Sequence, residues 1–182
     1  AFHTYTRNFD KPFDDMFIRT MVLSATNISR EIQGFKAAYV QSDEVSFLIT
    51  DYDTTETQSW FDYNKSKIES VTSSMMTAQF NYFMQSDKLA YFDARSFNLP
   101  KEEVANYFLW RAKDWERNSL SMYCRSLFSH KQILHMNKAQ QHEMLHSIGK
   151  NWTNDLLEVE RNGTWIFCNG NRTDILPKYD NI

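Results

Sequence analysis

Glycine and proline are scarce in this sequence, four and three among 182 residues. Neither gathers into a run, so no flexible or proline-rich linker divides the chain. The two cysteines, Cys124 and Cys168, fit no zinc or redox spacing, which excludes a disulfide framework and points to reduced thiols in the cytoplasm. No apolar run approaches the ~18 residues of a membrane span, so no membrane partner is expected. Positive charge is not in excess either: the formal net charge is −3. RNA, if bound, must be held by a local patch, by metal-bridged phosphates or by surface pooled in an oligomer. A natural initiator is also lacking, and the abrupt opening at Ala1 leads us to expect a missing N-terminus.

What is present is apolar and aromatic, 42% and 15% of the residues, enough for one substantial core. We expect a single domain over 1–182, its first strand missing, with 130–182 a C-terminal extension packed on it. Pro12, the acids Asp14 and Asp15, apolar groups from Phe13 to Ile32 and Gly34 past the end predict a helix over 12–33. KAAYV at 36–40 and VSFLIT at 45–50 read as a hairpin. Trp60, Ile68, Val71, Met75, Ala78 and Tyr82 follow helical spacing. Met75, Met76, Phe80 and Tyr82 are read as core and not as a base-stacking platform. A strand is expected at 90–96 and a helix from Pro100 to about 128, with Val104, Phe108 and Trp115 inward. Asn137 caps a short helix to about 147, and LLEVE with TWIF around Asn162-Gly163 reads as a terminal hairpin. The order helix, strand, strand, helix, strand, helix predicts an α+β, ferredoxin-like plan: an antiparallel sheet with helices packed mainly on one face.

The acids that draw attention lie between the first two strands, in QSDEVSF. Phosphoryl and nucleotidyl transfer needs hard oxygen ligands for Mg²⁺, and a rigid hairpin tip holds carboxylates at the sheet edge. Asp43 and Glu44 occupy that tip, with Ser42 able to offer a hydroxyl. By itself a Ser-Asp-Glu turn is also an ordinary solvated turn. Lys11 and Lys67 are point-charge partners of the kind phosphates take. Arg117, Asn118 and Ser119 follow a tryptophan on the third helix and read either as a solvated face or as a cation, an amide and a hydroxyl presented to RNA or nucleotide. Arg111, Lys113 and Arg125 could add positive charge nearby.

The string AAYVQSDEVSF at 37–47 resembles the central motif of the tRNA-His guanylyltransferase family. So do FHTYTRNFDKPFDDMF at 2–17, WFDYNKSKIESVTSSMMTAQFN at 60–81, YFDAR at 91–95, YFLWR at 107–111, RNS at 117–119 and GKNWTNDL at 149–156, all in family order. The resemblance implies a polymerase-palm domain that adds nucleotides to an RNA 5′ end in the 3′-to-5′ direction. It implies Asp43 as metal ligand and Glu44 as its partner, both catalytic. His3, Lys11, Asp14, Ser42 and Lys67 become contacts to nucleotide and triphosphate, and Arg117, Asn118 and Ser119 contacts to RNA or nucleotide. Two Mg²⁺ ions, ATP and GTP as substrates, the tRNA 5′ end as partner and a homotetramer are implied with them.

Two departures narrow the expectation. Where the branch specific for tRNA-His reads His-Ile-Asn-Asn-Leu-Tyr-Asn, residues 116–122 read ERNSLSM. The Arg-Asn-Ser form resembles the template-dependent branch, which implies repair of truncated tRNA 5′ ends. The Asp-Gly-Arg motif that carries the family's first metal carboxylate is absent from these residues, which leaves a catalytically inactive RNA-binding or assembly module as the alternative.

A competing pattern is HEMLH at 142–146, which has the spacing of a zinc peptidase. Its third ligand is not evident, since Trp152 stands where the longer form of the motif needs histidine. Leu145 and Ile148 are therefore expected to pack inward, and His142, Glu143 and His146 to be solvated.

Overall fold

The computed structural model describes residues 2–52 and 54–173; Ala1, Asp53 and residues 174–182 of the C-terminal extension lie outside the described residues. The chain opens with the short helix α1 (Phe2–Tyr5) and a 3₁₀ turn before α2 (Asp15–Ser29). Asp14 caps α2, its carboxylate accepting the Phe17 N–H at 2.8 Å, so the helix begins after Pro12 and Phe13 instead of at them. Its inward stripe of Phe17, Met21, Ala25 and Ile28 is buried.

Gly34 then turns the chain with φ +75°, and a Cβ there would lie 2.2 Å from the Thr50 carbonyl oxygen. Only glycine fits where the base of the hairpin closes. Strands β1 (Phe35–Gln41) and β2 (Glu44–Ile49) pair antiparallel, with Val40 opposite Val45 and Gln41 opposite Glu44. Side chains alternate across the sheet. Ala38 and Val40 face one core, with Met21, Met76 and Phe80 of α2 and α3 (Lys65–Met84). Tyr39 faces a second core with Phe108 and Ala112 of α4 (Val104–Leu127). Helices α2 and α3 thus cover one face, and α4 in addition covers the other.

On α3, Met76 and Phe80 are buried and Met75 partly so, but Tyr82 is 71% exposed and Ala78 is exposed as well. The expected inward stripe slips at its C-terminal end. The strand expected at 90–96 is also not formed. The segment is held by side chains of α3: the Asn81 amide bonds both the N–H and the C=O of Ala90 at 2.9 and 2.8 Å, Thr77 accepts from Phe92 N–H at 3.1 Å, and Glu69 accepts from Ser96 N–H at 2.7 Å. Backbone polar groups need partners, and here a helix surface supplies them without a strand ladder. Phe92 is anchored between the rings of Phe2 and Phe80, at 4.8 and 5.3 Å.

After α4 come α5 (His130–Ile133), α6 (Lys138–Ser147), α7 (Trp152–Asp155) and α8 (Glu158–Asn162). Asn137 caps α6 with a reciprocal bond from Gln140. Leu145 packs with Leu120, Tyr123, Cys124 and Trp152 in a third core, while Ile148, expected inward, is 48% exposed beyond the last turn of α6. The terminal hairpin is replaced by a helix and a distant pairing. Residues 158–162 coil because Glu160 accepts the Leu157 N–H at 2.7 Å. Gly163 then reverses the chain into β3 (Thr164–Phe167), which pairs antiparallel with β1 and with β4 (Arg172–Thr173). The sheet order is β2-β1-β3-β4, all antiparallel. No described helix is long and apolar enough to cross a membrane.

Candidate functional site

The acid-bearing hairpin tip is tighter than the spacing predicts. Pairing continues to Gln41 and Glu44, so only Ser42 and Asp43 lie between the strands, and Ser42 takes φ +48°. Asp43 is partly buried and Glu44 exposed. The two carboxylates do different things. Glu44 receives the Gln41 amide at 3.0 Å and the guanidinium of Arg111 on α4, whereas Asp43 carries no such ion pair among the described contacts.

Directly behind the tip is a pocket lined by residues of four chain regions, within 6–22, 40–42, 115–122 and 159–164. Lys11, Asp14 and Ser42 lie on its wall, so three of the residues chosen from the sequence come together beside Asp43. Phe13, Val40 and Trp115 supply apolar surface, and the rings of Phe13 and Trp115 meet edge to face at 6.1 Å. Lys11 turns its ammonium to the Thr6 carbonyl at 3.1 Å. The Asp14 carboxylate accepts two backbone N–H groups, from Phe17 at 2.8 Å and from Asp10 at 3.2 Å. Its first duty is therefore to cap α2 and fix the Lys11–Asp14 loop.

Other candidates lie elsewhere. His3 is exposed on α1 and outside the pocket wall. Lys67 sits in the first turn of α3 with its ammonium 4.7 Å from the centre of the Phe61 ring. That turn follows three successive non-glycine residues in the left-handed region, Phe61, Asp62 and Tyr63, with φ of 52°, 51° and 55°. The ammonium is exposed and near the positive end of a 20-residue helix, a setting suited to anionic phosphate.

On α4, Arg117 and Asn118 are exposed and both bond to Asp114, at 2.5 and 3.2 Å. Ser119 departs from the expectation. It is fully buried, and its hydroxyl accepts the indole N–H of Trp152 at 3.1 Å. One residue of helix turns the side chain by about 100°, which takes Ser119 off the Arg117–Asn118 face and into the third core. Sequence reasoning also left Arg111 as unspecific positive charge, because its role depends on α4 crossing the hairpin and no local pattern reports that.

The zinc pattern does not close. Glu143 and His146 are exposed and His142 is partly buried. The two imidazole centres lie 6.4 Å apart, and Trp152 packs against His142 at 6.0 Å. Burial, with the nearby charge of Lys138, lowers the His142 pKa. Among the described residues no group of three or more His, Cys, Asp or Glu side chains is placed to hold a metal ion. The same finding bears on the two Mg²⁺ ions that the resemblance implies. With Glu44 engaged by Arg111, Asp43 is the carboxylate at the tip left to a cation. One carboxylate completed by substrate phosphates fits the way Mg²⁺ is commonly held, and a second ion finds no protein ligand set among the described residues.

Comparison with known proteins identifies the family and the fold. The family model described as tRNAHis guanylyltransferase matches residues 1–100. A bacterial tRNA(His) guanylyltransferase-like protein solved with ATP superimposes with a TM-score of 0.90 at 41% identity, over 95% of this chain and 78% of that one. A structure of such a protein with GTP gives 0.81 at 41% identity, over 92% and 70%. A Dictyostelium discoideum protein named "Probable tRNA(His) guanylyltransferase" is 31% identical over 134 residues, 68% of this chain and 50% of that protein. The chain spans about half the length of the curated relatives it matches.

Proposed function

The chain belongs to the tRNAHis guanylyltransferase family, and from that premise we propose that it forms the catalytic palm of a nucleotidyltransferase that extends tRNA at its 5′ end. The observation that carries this reading is the placement of Asp43 on a two-residue turn beside a pocket walled by Lys11, Asp14 and Ser42. ATP and GTP are the proposed substrates, supported by the nucleotide-bound structures of the bacterial relatives.

Mg²⁺ is the proposed cofactor, held by Asp43, and its chemistry is to neutralise charge on phosphate oxygens and align them. The chain's own residues bind and orient. Lys67 and Lys11 are ammonium partners for triphosphate, and Ser42, on the pocket wall next to Asp43 in the turn, offers a hydroxyl. The apolar wall of Phe13 and Trp115 suits a base, with Asp14 keeping the loop in place. His3, exposed on α1, is the remaining proposed nucleotide contact. The 3′-hydroxyl of the incoming nucleotide attacks the α-phosphate of an activated RNA 5′ end, expelling AMP where ATP has adenylylated that end and pyrophosphate where it already carries a triphosphate. No side-chain nucleophile is required, since positioning and charge stabilisation carry the rate.

Arg117 and Asn118 are the proposed RNA-facing pair. Because residues 116–122 read ERNSLSM, template-dependent repair of truncated 5′ ends is favoured over addition confined to tRNA-His. Tetramer formation would pool the basic side chains of a chain whose net charge is −3. The test is Mg²⁺-dependent addition of nucleotides to a 5′-truncated tRNA. Asp43→Ala should lower the rate by about a hundredfold or more, since a metal carboxylate is worth several kcal/mol. Addition that survives Asp43→Ala, or that needs no divalent cation, overturns the reading.

A further inference from the structure

We propose that Arg111 is a positioning residue for the hairpin tip: it grips Glu44 from α4 and thereby sets the turn that presents Asp43. This rests on the proposed role of Asp43, and it gives a role at that site to Arg111, which in sequence is only the last residue of the string YFLWR.

The grip comes from two directions. The Arg111 guanidinium contacts Oε2 of Glu44, and the Gln41 amide donates to the same oxygen at 3.0 Å. Glu44 is the first residue after the Ser42–Asp43 turn and Gln41 the last before it, so both ends of the turn are tied to one carboxylate. The Arg111 side chain is only 16% exposed against 60% for that of Glu44, and it lies 5.2 Å from the centre of the Trp110 ring. The cation is thus the fixed partner, and the acid comes to it.

Helix α4 gives that fixed point its stiffness. Phe108 and Ala112 are buried against Tyr39 and Trp165, and Leu120, Tyr123 and Cys124 anchor the same helix in another core. A turn of two residues has few ways to move once its flanking residue is held, so the orientation of Asp43 follows from the Glu44 clamp. One helical turn before Arg111, the Tyr107 hydroxyl meets the Ser46 hydroxyl at 3.1 Å. This second, neutral tether keeps α4 on the hairpin when the clamp is removed, which separates positioning from folding. Lysine cannot reproduce the planar fork of arginine.

The experiment compares Arg111→Met, Arg111→Lys, Glu44→Gln and the double variant Glu44→Gln/Arg111→Met in the full chain. It measures nucleotide addition together with amide exchange at residues 42–45 and at 37–39. Arg111→Met should lower kcat about 10- to 100-fold, as loss of groups that orient metal ligands does. The nucleotide KM should stay within about twofold, and exchange at the tip should quicken while the 37–39 amides keep their rate. Arg111→Lys should recover part of the loss. Added to Glu44→Gln, Arg111→Met should cost little more, because the two act as one unit.

A loss that appears in KM, or that multiplies undiminished in the Glu44→Gln background, overturns the proposal and makes Arg111 a direct phosphate contact. If the wild-type chain adds no nucleotide, the proposed function fails separately and exchange decides alone. Faster exchange at the tip in Arg111→Met then upholds the clamp, and unchanged exchange overturns it.

Discussion

Trp152 donates its indole N–H to the hydroxyl of Ser119 across 3.1 Å, joining α7 to the middle of α4 inside a closed core. The serine stands next to Arg117 and Asn118 in sequence and on a different side of the helix in space. Ser119→Ala leaves a buried N–H without a partner, which costs about 1–3 kcal/mol. We expect a lower melting temperature with unchanged affinity for tRNA at temperatures where the variant is folded. Arg117→Ala should do the reverse, weakening tRNA binding without loss of stability. A tRNA-binding defect in folded Ser119→Ala protein would return Ser119 to the interface.

Asn81 takes the place of a neighbouring strand for the segment after α3, bonding both backbone polar groups of Ala90. Asn81→Ala should release residues 90–96 locally. Their amide exchange should approach that of the exposed loop at 54–57 while α2 and β1 stay protected. If exchange in 90–96 does not change, Thr77, Glu69 and the packing of Phe92 between Phe2 and Phe80 hold the segment without Asn81.

The legible part of this fold was the part encoded locally. The α2 stripe, the Asn137 cap and the Ser-Asp-Glu hairpin each follow from residues within a few positions of one another. Residues 90–96 have β-prone composition, but whether such a run joins a ladder depends on a partner, and here Asn81, Thr77 and Glu69 intercept its backbone. Similarly, LLEVE alternates like a strand, yet one bond from Leu157 N–H to Glu160 starts a helix and leaves β3 to find β1 more than 120 residues away in sequence. In the candidate site, the placement of Ser42 and Asp43 at a hairpin tip was legible locally, whereas Lys11 and Asp14 were brought to it only by the family resemblance. Arg111 and the pocket wall of Trp115 were not legible, because they arise from the crossing of α4 over the sheet.

Glu69 accepts from both the hydroxyl and the N–H of Ser96, at 2.8 and 2.7 Å, and these two bonds hold its pKa below the usual carboxylate value. A folded-state value below the unfolded one contributes stability above roughly pH 4.3, the unfolded value, and loses it as pH falls through the folded value. Docking of the 90–96 segment should therefore loosen at the acid end. Glu69→Gln should flatten that acid limb when local exchange is followed from pH 6 to 3. A limb of equal depth in the variant would assign the acid sensitivity to another carboxylate.

Gly163 and Gly149 both take left-handed backbone, with φ of +68° and +72°, but differ in what surrounds them. A Cβ at Gly163 would lie 2.6 Å from the Val40 carbonyl oxygen and 2.9 Å from the Tyr39 hydroxyl, whereas a Cβ at Gly149 meets nothing within 4 Å. Gly149→Ala should cost only the conformational strain, roughly 1–2 kcal/mol. Gly163→Ala should cost more, about 3 kcal/mol or above, because backbone must also shift. Chemical denaturation of the two variants tests the difference, and equal losses would mean that β3 can slide along β1.

The HEMLH helix offers a last discrimination, between a metal site and a solvated face. A metallopeptidase needs two imidazoles turned to one cation, a third ligand and an acid beside it. Here His146 Nε2 lies 3.3 Å from the Asn151 amide, while Trp152, where a further histidine would stand, is buried and bonded to Ser119. Zinc at a thousandfold excess over a tight dissociation constant would stabilise the chain by about 4 kcal/mol. We expect no such shift in the melting curve on adding equimolar Zn²⁺, substoichiometric zinc in the purified protein, and nucleotide addition unchanged in His146→Ala. Equimolar zinc that resists dialysis and is lost in His146→Ala would instead mean that α6 rearranges to build a metal centre.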